Sequence, residues 1–497
     1  MIIRDFIEKA YQDHADSEAV VSGDRRLDYG ELYVRCRKVA CYLQSRWIGK
    51  GDVVSILHQN SHYFLEAYFA CAFSGVILNS INTRLSANEI NYILGHSGSK
   101  LLITNRSFAE KVEQMNISGE QVIWTDETQG NSEGISYEKI ISEINYEEAM
   151  KLDLPEIGED DPAHLYYTSG TAGRPKGVVL TNKNVPVHSL AAIEEFEIDV
   201  NDRWLHAAPM FHLADAWACF AFTLAGAKHV ILEEFTPEEV FRLVEEEKVT
   251  ISNMIPTMLN FLINSESIGG YDLSSLRVIL SGGAPIAPEL VRQIIEKFGC
   301  DYVQTYGMTE TSPYLTISIL KEHLRELPFE KQLEYKSKTG REFSCVKLRV
   351  VSEDGADVKA DGLEVGEIIV KGDSVTPGYW NDPDETRRSI KDGWLFTGDM
   401  ANIDDEGYVN IVDRKNDVII TGGENVYSIE VENVIYEHPA VFEAAVIGMP
   451  DPVWGEKIKA FVAQKEGQEV TGDEIIDFVK SRIAHYKAPS EVVFVES

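Results

Sequence analysis

Residues 167–178 read YTSGTAGRPKGV, a run that regular helix does not accommodate. Upstream, His164, Leu165 and Tyr166 suit a strand. Downstream, Val178, Val179 and Leu180 suit another, closed by Thr181 and Asn182, which favour turns and helix caps. The stretch therefore reads as a hairpin-like loop between two strands. Gly170, Gly173 and Gly177 permit sharp turns and let backbone N–H groups come close to a ligand. Thr168, Ser169 and Thr171 add hydroxyl donors and Lys176 adds a positive charge, a set suited to gripping a polyphosphate. The P-loop pattern of nucleoside triphosphatases fails on register. Counted from Gly170, Pro175 falls on its second glycine and Gly177 on its Ser/Thr position. A mobile surface turn would explain any one of these residues, but not the whole string.

The 497-residue chain around this loop is too long for one hydrophobic core, so two or more domains are expected. Its 44% hydrophobic and 26% charged content is that of an ordinary globular protein. A formal net charge of −35 argues against a nucleic-acid partner and against a basic membrane-docking face. Positive charge at any anion site must then come from a few placed residues. Six cysteines are scattered without a C-x-x-C pair, so neither zinc nor a disulfide framework is indicated and a reducing compartment, the cytoplasm, is expected. The N-terminus has no apolar signal core. The most apolar stretches, 64–78 and 213–227, contain Glu66 and Asp215 and read as buried helices, not transmembrane segments.

Helix-like segments 2–11, 29–43, 63–74 and 87–97 alternate with strand-like segments 53–57, 76–78 and 101–104, which argues for parallel sheets covered by helices. Residues 114–159 are polar and acidic and read as peripheral. Strands follow at 204–207, 229–232, 249–253, 278–281 and 302–306. From Cys345 the strands shorten, as in a β-rich subdomain ending near Val412. Beyond Asp413 and Arg414 comes a compact α+β pattern, with a helix at 474–483 opened by the capping pair Thr471 and Glu474. The expected fold is α/β. Residues 1–412 form a large domain of stacked, mostly parallel sheets with helices and the β-rich subdomain, and residues 413–497 form a small α+β domain.

Further strings follow in order: PMFH at 209–212, GGAP at 282–285, YGMTE at 306–310, TGD at 397–399 ahead of Arg414, and TGGEN at 421–425. With the loop at 167–178, they resemble the adenylate-forming enzymes: acyl-CoA synthetases, adenylation domains of peptide synthetases, and luciferases. The resemblance spans nearly the whole chain and is strongest to fatty- or aryl-acid CoA ligases. It implies that Thr168, Ser169, Gly170, Thr171, Gly173 and Lys176 cradle the phosphates of ATP. Tyr306 lies against adenine beside Gly307 and Met308, Thr309 meets the α-phosphate, and Glu310 holds Mg²⁺. Gly282, Gly283, Ala284 and Pro285 border adenine and acyl pocket, while Asp399 and Arg414 take the ribose. His212 borders the substrate carboxylate. Read from the residues themselves, Met210, Phe211, Trp217 and Phe220 are candidates for an acyl wall, with plain core as the usual role of aromatics near a buried helix. A small C-terminal lid swings so that Gly422, Gly423 and Trp454 approach coenzyme A.

The implied reaction joins a small-molecule carboxylic acid to coenzyme A through an acyl-adenylate, with a fatty acid of medium or longer chain ahead of an aryl acid. A stand-alone enzyme loading a carrier protein and a non-catalytic binder of nucleotide or acyl-adenylate are the alternatives. A homodimer is left open. Departures from the family pattern are Ala172 in place of a second threonine, Asn416 at the hinge position, and a sparsely basic stretch around Lys487. Relatives carry a lysine in a C-terminal loop that reaches the reacting carboxylate. It has no counterpart before Ser497, which on the resemblance predicts a chain cut short of that loop and slow adenylation, with acyl transfer from a supplied adenylate much less affected.

Overall fold

Alternating apolar strands and helices between residues 53 and 181 build a seven-stranded sheet. The computed structural model describes residues 1–126, 134–168, 174–415, 417–422, 424–451, 454–465, 467–468 and 470–495. The sheet runs Ile135–Ser136, Val122–Trp124, Ser99–Thr104, Val53–Leu57, Ile77–Ser80, Pro162–Thr168, Lys176–Thr181. All neighbours are parallel except the last pair, where Thr168 stands opposite Lys176 in an antiparallel hairpin. The expected flanks of the loop are therefore present. Residues 114–159, expected at the periphery, contribute two of these strands and the fully buried Tyr137.

The second sheet has fourteen strands. Its parallel half runs Glu18–Ser22, Lys228–Ile231, Arg203–His206, Ile251–Asn253, Val278–Ser281, Asp301–Gly307. Antiparallel strands then continue it: Tyr314–Ile317, Gly340–Glu342, Tyr408–Arg414, Trp394–Ile403, Gly366–Gly372, Val346–Val351. The β-rich region expected within the large domain forms the antiparallel wing of its main sheet. Few helices separate its strands, so they pair edge to edge instead of crossing over a covering layer.

Helices His62–Ser74 and Leu213–Ala225 are buried almost throughout, inside an apolar cluster that joins Val54 and Ile56 of one sheet to Val20 and Ile231 of the other. Phe220 packs on Tyr68 at 5.0 Å and on His164 at 5.1 Å between ring centroids. The acids that interrupt these helices are matched by partners, as buried charge requires. Glu66 accepts from Arg35 Nε at 2.8 Å, and Arg35 also reaches Glu138 at 2.6 Å. Asp215 accepts from Trp204 Nε1 at 3.2 Å and bonds His206 Nδ1 at 2.5 Å, with His229 next at 3.0 Å. No helix among the described residues is long and apolar enough to cross a membrane.

The C-terminal residues form a five-stranded sheet, in the order Glu424–Val426, Ile419–Thr421, Gly455–Gln464, Val441–Asp451, with Glu491–Phe494 parallel to Gly455–Gln464. Helices Ser428–Tyr436 and Gly472–Lys480 pack on it around their own apolar cluster. Thr471 and Glu474 make the expected capping box. The large sheet runs on to Arg414, where buried Asp413 accepts from Ser428 N at 2.6 Å and ties the C-terminal helix to the strand end.

Candidate active site

Parallel strands of an open α/β sheet leave a crevice beyond their C-terminal ends, where ligands bind. Here a cleft of about 1240 Å³ opens beyond Asp301–Gly307, lined by the antiparallel wing, the loop hairpin and the first residues of the C-terminal unit. Gly283, Ala284, Pro285, Tyr306, Gly307, Met308, Thr309, Glu310, Thr168, Lys176, Asp399 and Arg414 all border it. Two glycines are demanded by contact. A Cβ on Gly282 would lie 2.7 Å from the Thr305 carbonyl oxygen, and one on Gly307 only 1.9 Å from that of Pro313. Both keep the backbone close enough for neighbouring strands to meet at the cleft floor.

The phosphate-side residues are assembled by a segment the sequence reading did not single out. Residues 376–380 run beside Lys176–Thr181: Val179 N donates to Gly378 O at 3.2 Å and Trp380 N to Gly177 O at 2.8 Å. Thr376 bolts the two sheets together, its N–H on Glu310 O at 2.7 Å and its hydroxyl on Val179 O at 2.5 Å. This places Tyr379 between the expected lysine and the expected metal ligand. Tyr379 Oη donates to Glu310 Oε1 at 2.8 Å and accepts from Lys176 Nζ at 3.1 Å. Lys176 also meets Glu385 at 3.2 Å, with Glu310 at 3.8 Å. Burial pushes the Glu385 carboxyl up, but bonds from Arg388 and Lys176 outweigh it and its pKa is lowered.

At the other end, Tyr306 Oη donates to Asp399 Oδ2 at 2.5 Å, and Arg414 Nε stands 3.7 Å from the same carboxylate. Desolvation raises the Asp399 pKa, against the lowering effect of Tyr306 and Arg414. Asp399 follows Gly398, whose φ of +77° turns the strand at the cleft.

Among the described residues no group of three or more His, Cys, Asp or Glu side chains could hold a metal unaided. Glu310 still suits Mg²⁺, a hard cation usually held by one or two carboxylates together with substrate phosphates. Thr168 Oγ1 is buried at the cleft and has no hydrogen-bond partner among the described residues, as fits a hydroxyl awaiting an anion.

Other expected residues lie elsewhere. Ser169, Gly170, Thr171, Gly173 and Gly423 fall outside the described residues, as does Asn416. His212 does not border the cleft. It is the exposed N-cap residue of Leu213–Ala225, where desolvation by the surrounding protein and the Arg84 charge lower its pKa. Of the two roles weighed for Trp217 and Phe220, core is the one found: Trp217 packs on Trp204 at 5.1 Å. Gly422 and Trp454 pair with each other through a 2.8 Å backbone bond, and neither lines the cleft. Tyr379, Glu385 and Arg388 were missed. The only local signal was Asp382 before Pro383, a helix start that brings Glu385 into reach.

The family model described as AMP-binding enzyme matches residues 7–380, and that described as AMP-binding enzyme C-terminal domain matches residues 430–497. A feruloyl-CoA synthase from an Amycolatopsis species is 35% identical over 96% of this chain and 92% of its own. A long-chain-fatty-acid–CoA ligase from Thermus thermophilus is 35% identical over 99% of this chain and 91% of its own. The solved o-succinylbenzoate coenzyme A synthetase from Bacillus subtilis, in complex with ATP and magnesium ion, superposes with a TM-score of 0.82. It is 30% identical and covers 99% of this chain and 95% of its own. The chain belongs to the AMP-binding enzyme family, and within those adenylate-forming enzymes it is an acyl-CoA synthetase of the AMP-forming type.

Proposed function

We propose that this protein is an ATP-dependent acid–CoA ligase acting through an acyl-adenylate, with a fatty acid of medium or longer chain as first substrate class and an aryl acid as second. The observation that carries the reading is the gathering of Lys176, Glu310, Tyr306 and Asp399 around one cleft. In the first half-reaction a carboxylate oxygen attacks the α-phosphorus and the bond to pyrophosphate breaks. Two anions must meet, so fixed positive charge and positioning supply most of the catalysis. Lys176 neutralises the phosphate tail, Thr168 and Thr309 donate hydroxyl hydrogen bonds, and Tyr306 and Asp399 hold the nucleoside. Glu310 is the residue that would hold Mg²⁺, which when bound neutralises charge on the phosphate oxygens. In the second half-reaction the CoA sulfur attacks the acyl carbon and AMP leaves. Gly422, Gly423 and Trp454 act there, after residues 413–497 rotate as a lid on residues 1–412.

Acid-dependent pyrophosphate–ATP exchange tests the first half, and thioester formation with free CoA the second. Exchange without thioester formation would favour a carrier-loading enzyme. Absence of both would leave a nucleotide binder. The aryl reading has equal support from relatives, since the feruloyl and long-chain-fatty enzymes are equally similar at 35%. Exchange rates across fatty and aryl acids rank the two classes.

A further inference from the structure

Lys176 is held twice over in the cleft. Its ammonium lies 3.2 Å from Glu385 Oε1 and 3.1 Å from Tyr379 Oη, and 4.4 Å above the Tyr379 ring. Glu385 is itself anchored from the far side. Its Oε2 accepts from Arg388 Nε at 3.0 Å and Nη2 at 2.7 Å, and its backbone N–H is capped by Asp382 at 2.9 Å. Both members of the Lys176–Glu385 pair are mostly buried, with side chains 19% and 13% exposed. The carboxylate is fixed, and the lysine, a compact charge on a flexible stem, is the member free to leave.

We propose that Glu385 is a positioning residue that stores Lys176 and competes with a triphosphate or pyrophosphate for it. The inference rests on the ligase reading, because it assumes that the tail of ATP is what takes the lysine away. A ligand that must first draw Lys176 out of storage binds more weakly, by the fraction of molecules in which the lysine is already free. The same storage speeds release of pyrophosphate, since the departing anion leaves behind a lysine with a partner waiting. AMP has no β- or γ-phosphate to compete for Lys176 and is indifferent to it.

The test is equilibrium binding of Mg-ATP, Mg-pyrophosphate and AMP to the full chain, its Glu385→Gln variant, and both in a Lys176→Met background. Glu385→Gln is expected to tighten ATP and pyrophosphate about three- to tenfold, to leave AMP unchanged, and to have no effect once Lys176 is methionine. Tyr379→Phe, which keeps the ring and removes one of the two oxygens, should tighten the same ligands by a smaller factor. Unchanged or weaker pyrophosphate binding in Glu385→Gln would overturn the proposal. So would equal tightening of AMP, or tightening that persists without Lys176, which would mark a general loss of negative charge. A full chain that binds no ATP at all would instead sink the ligase reading on which the proposal stands.

Discussion

The two ends of the cleft are built on different principles. At the phosphate end, Lys176, Tyr379, Glu310 and Glu385 satisfy one another, so a ligand must exchange partners with them. At the ribose end, Asp399 is braced by one tyrosine hydroxyl and a distant guanidinium, and its other oxygen has no hydrogen-bonded partner among the described residues. A group that only receives a ligand is best preset on a short side chain. A group that must hold a tail and later let it go is best placed on a long one with a second partner nearby.

The largest expected effect breaks the phosphate end. Lys176→Met should lower kcat/KM for adenylation, read as pyrophosphate exchange, by about 10²–10³-fold, as for removal of a group aimed at transition-state charge. At the ribose end, Asp399→Ala removes charge-assisted hydrogen bonds to the sugar. Their usual strength of about 1.5–3 kcal/mol corresponds to a rise of about 10- to 150-fold in the KM for ATP, with kcat less affected. Tyr306→Phe keeps the ring and deletes only the bond to Asp399. It should raise the KM for ATP by about fivefold, near the 1 kcal/mol of one ordinary hydrogen bond. An effect confined to KM in Lys176→Met and a large rate effect in Asp399→Ala would invert the contrast between the two ends.

The smallest effect is in pH. The ionised form of Asp399 accepts from the ribose, and its pKa is raised above the usual value of about 3.9. The KM for ATP should therefore climb as pH falls toward that raised value, earlier than for an ordinary carboxylate, and Asp399→Asn should flatten the climb. The sign for stability is opposite. A carboxyl that keeps its proton more tightly when folded favours folding at low pH, and that contribution is lost as pH rises through its folded pKa.

What the sequence disclosed was local. The hairpin flanks of residues 167–178 and the strand ending at Tyr306 follow from short strings whose neighbours are close in the chain, whereas Asp399 and Arg414, paired across adjacent strands, were brought together only by the resemblance. Tyr379 and Glu385 were not legible, because they reach Lys176 through strand pairing across about two hundred residues, which no local pattern encodes. Glu66 and Asp215 could be read as acids inside buried helices, but their partners Arg35 and His206 could not. Trp217 and Phe220 carried an acyl-wall expectation. Aromatic residues on a helix enclosed by two sheets have no face left for a ligand, and both are core. Gly422 and Trp454 were recognisable as a loop, while their distance from the cleft depends on how the C-terminal unit sits on the body.

A crystal structure of the full chain with ATP and Mg²⁺ tests the account most directly. It predicts the adenosine against Tyr306 and Asp399 and the phosphate tail on Lys176, with that lysine moved off Glu385. A nucleotide bound outside this cleft, or one whose tail leaves Lys176 on Glu385, would contradict it.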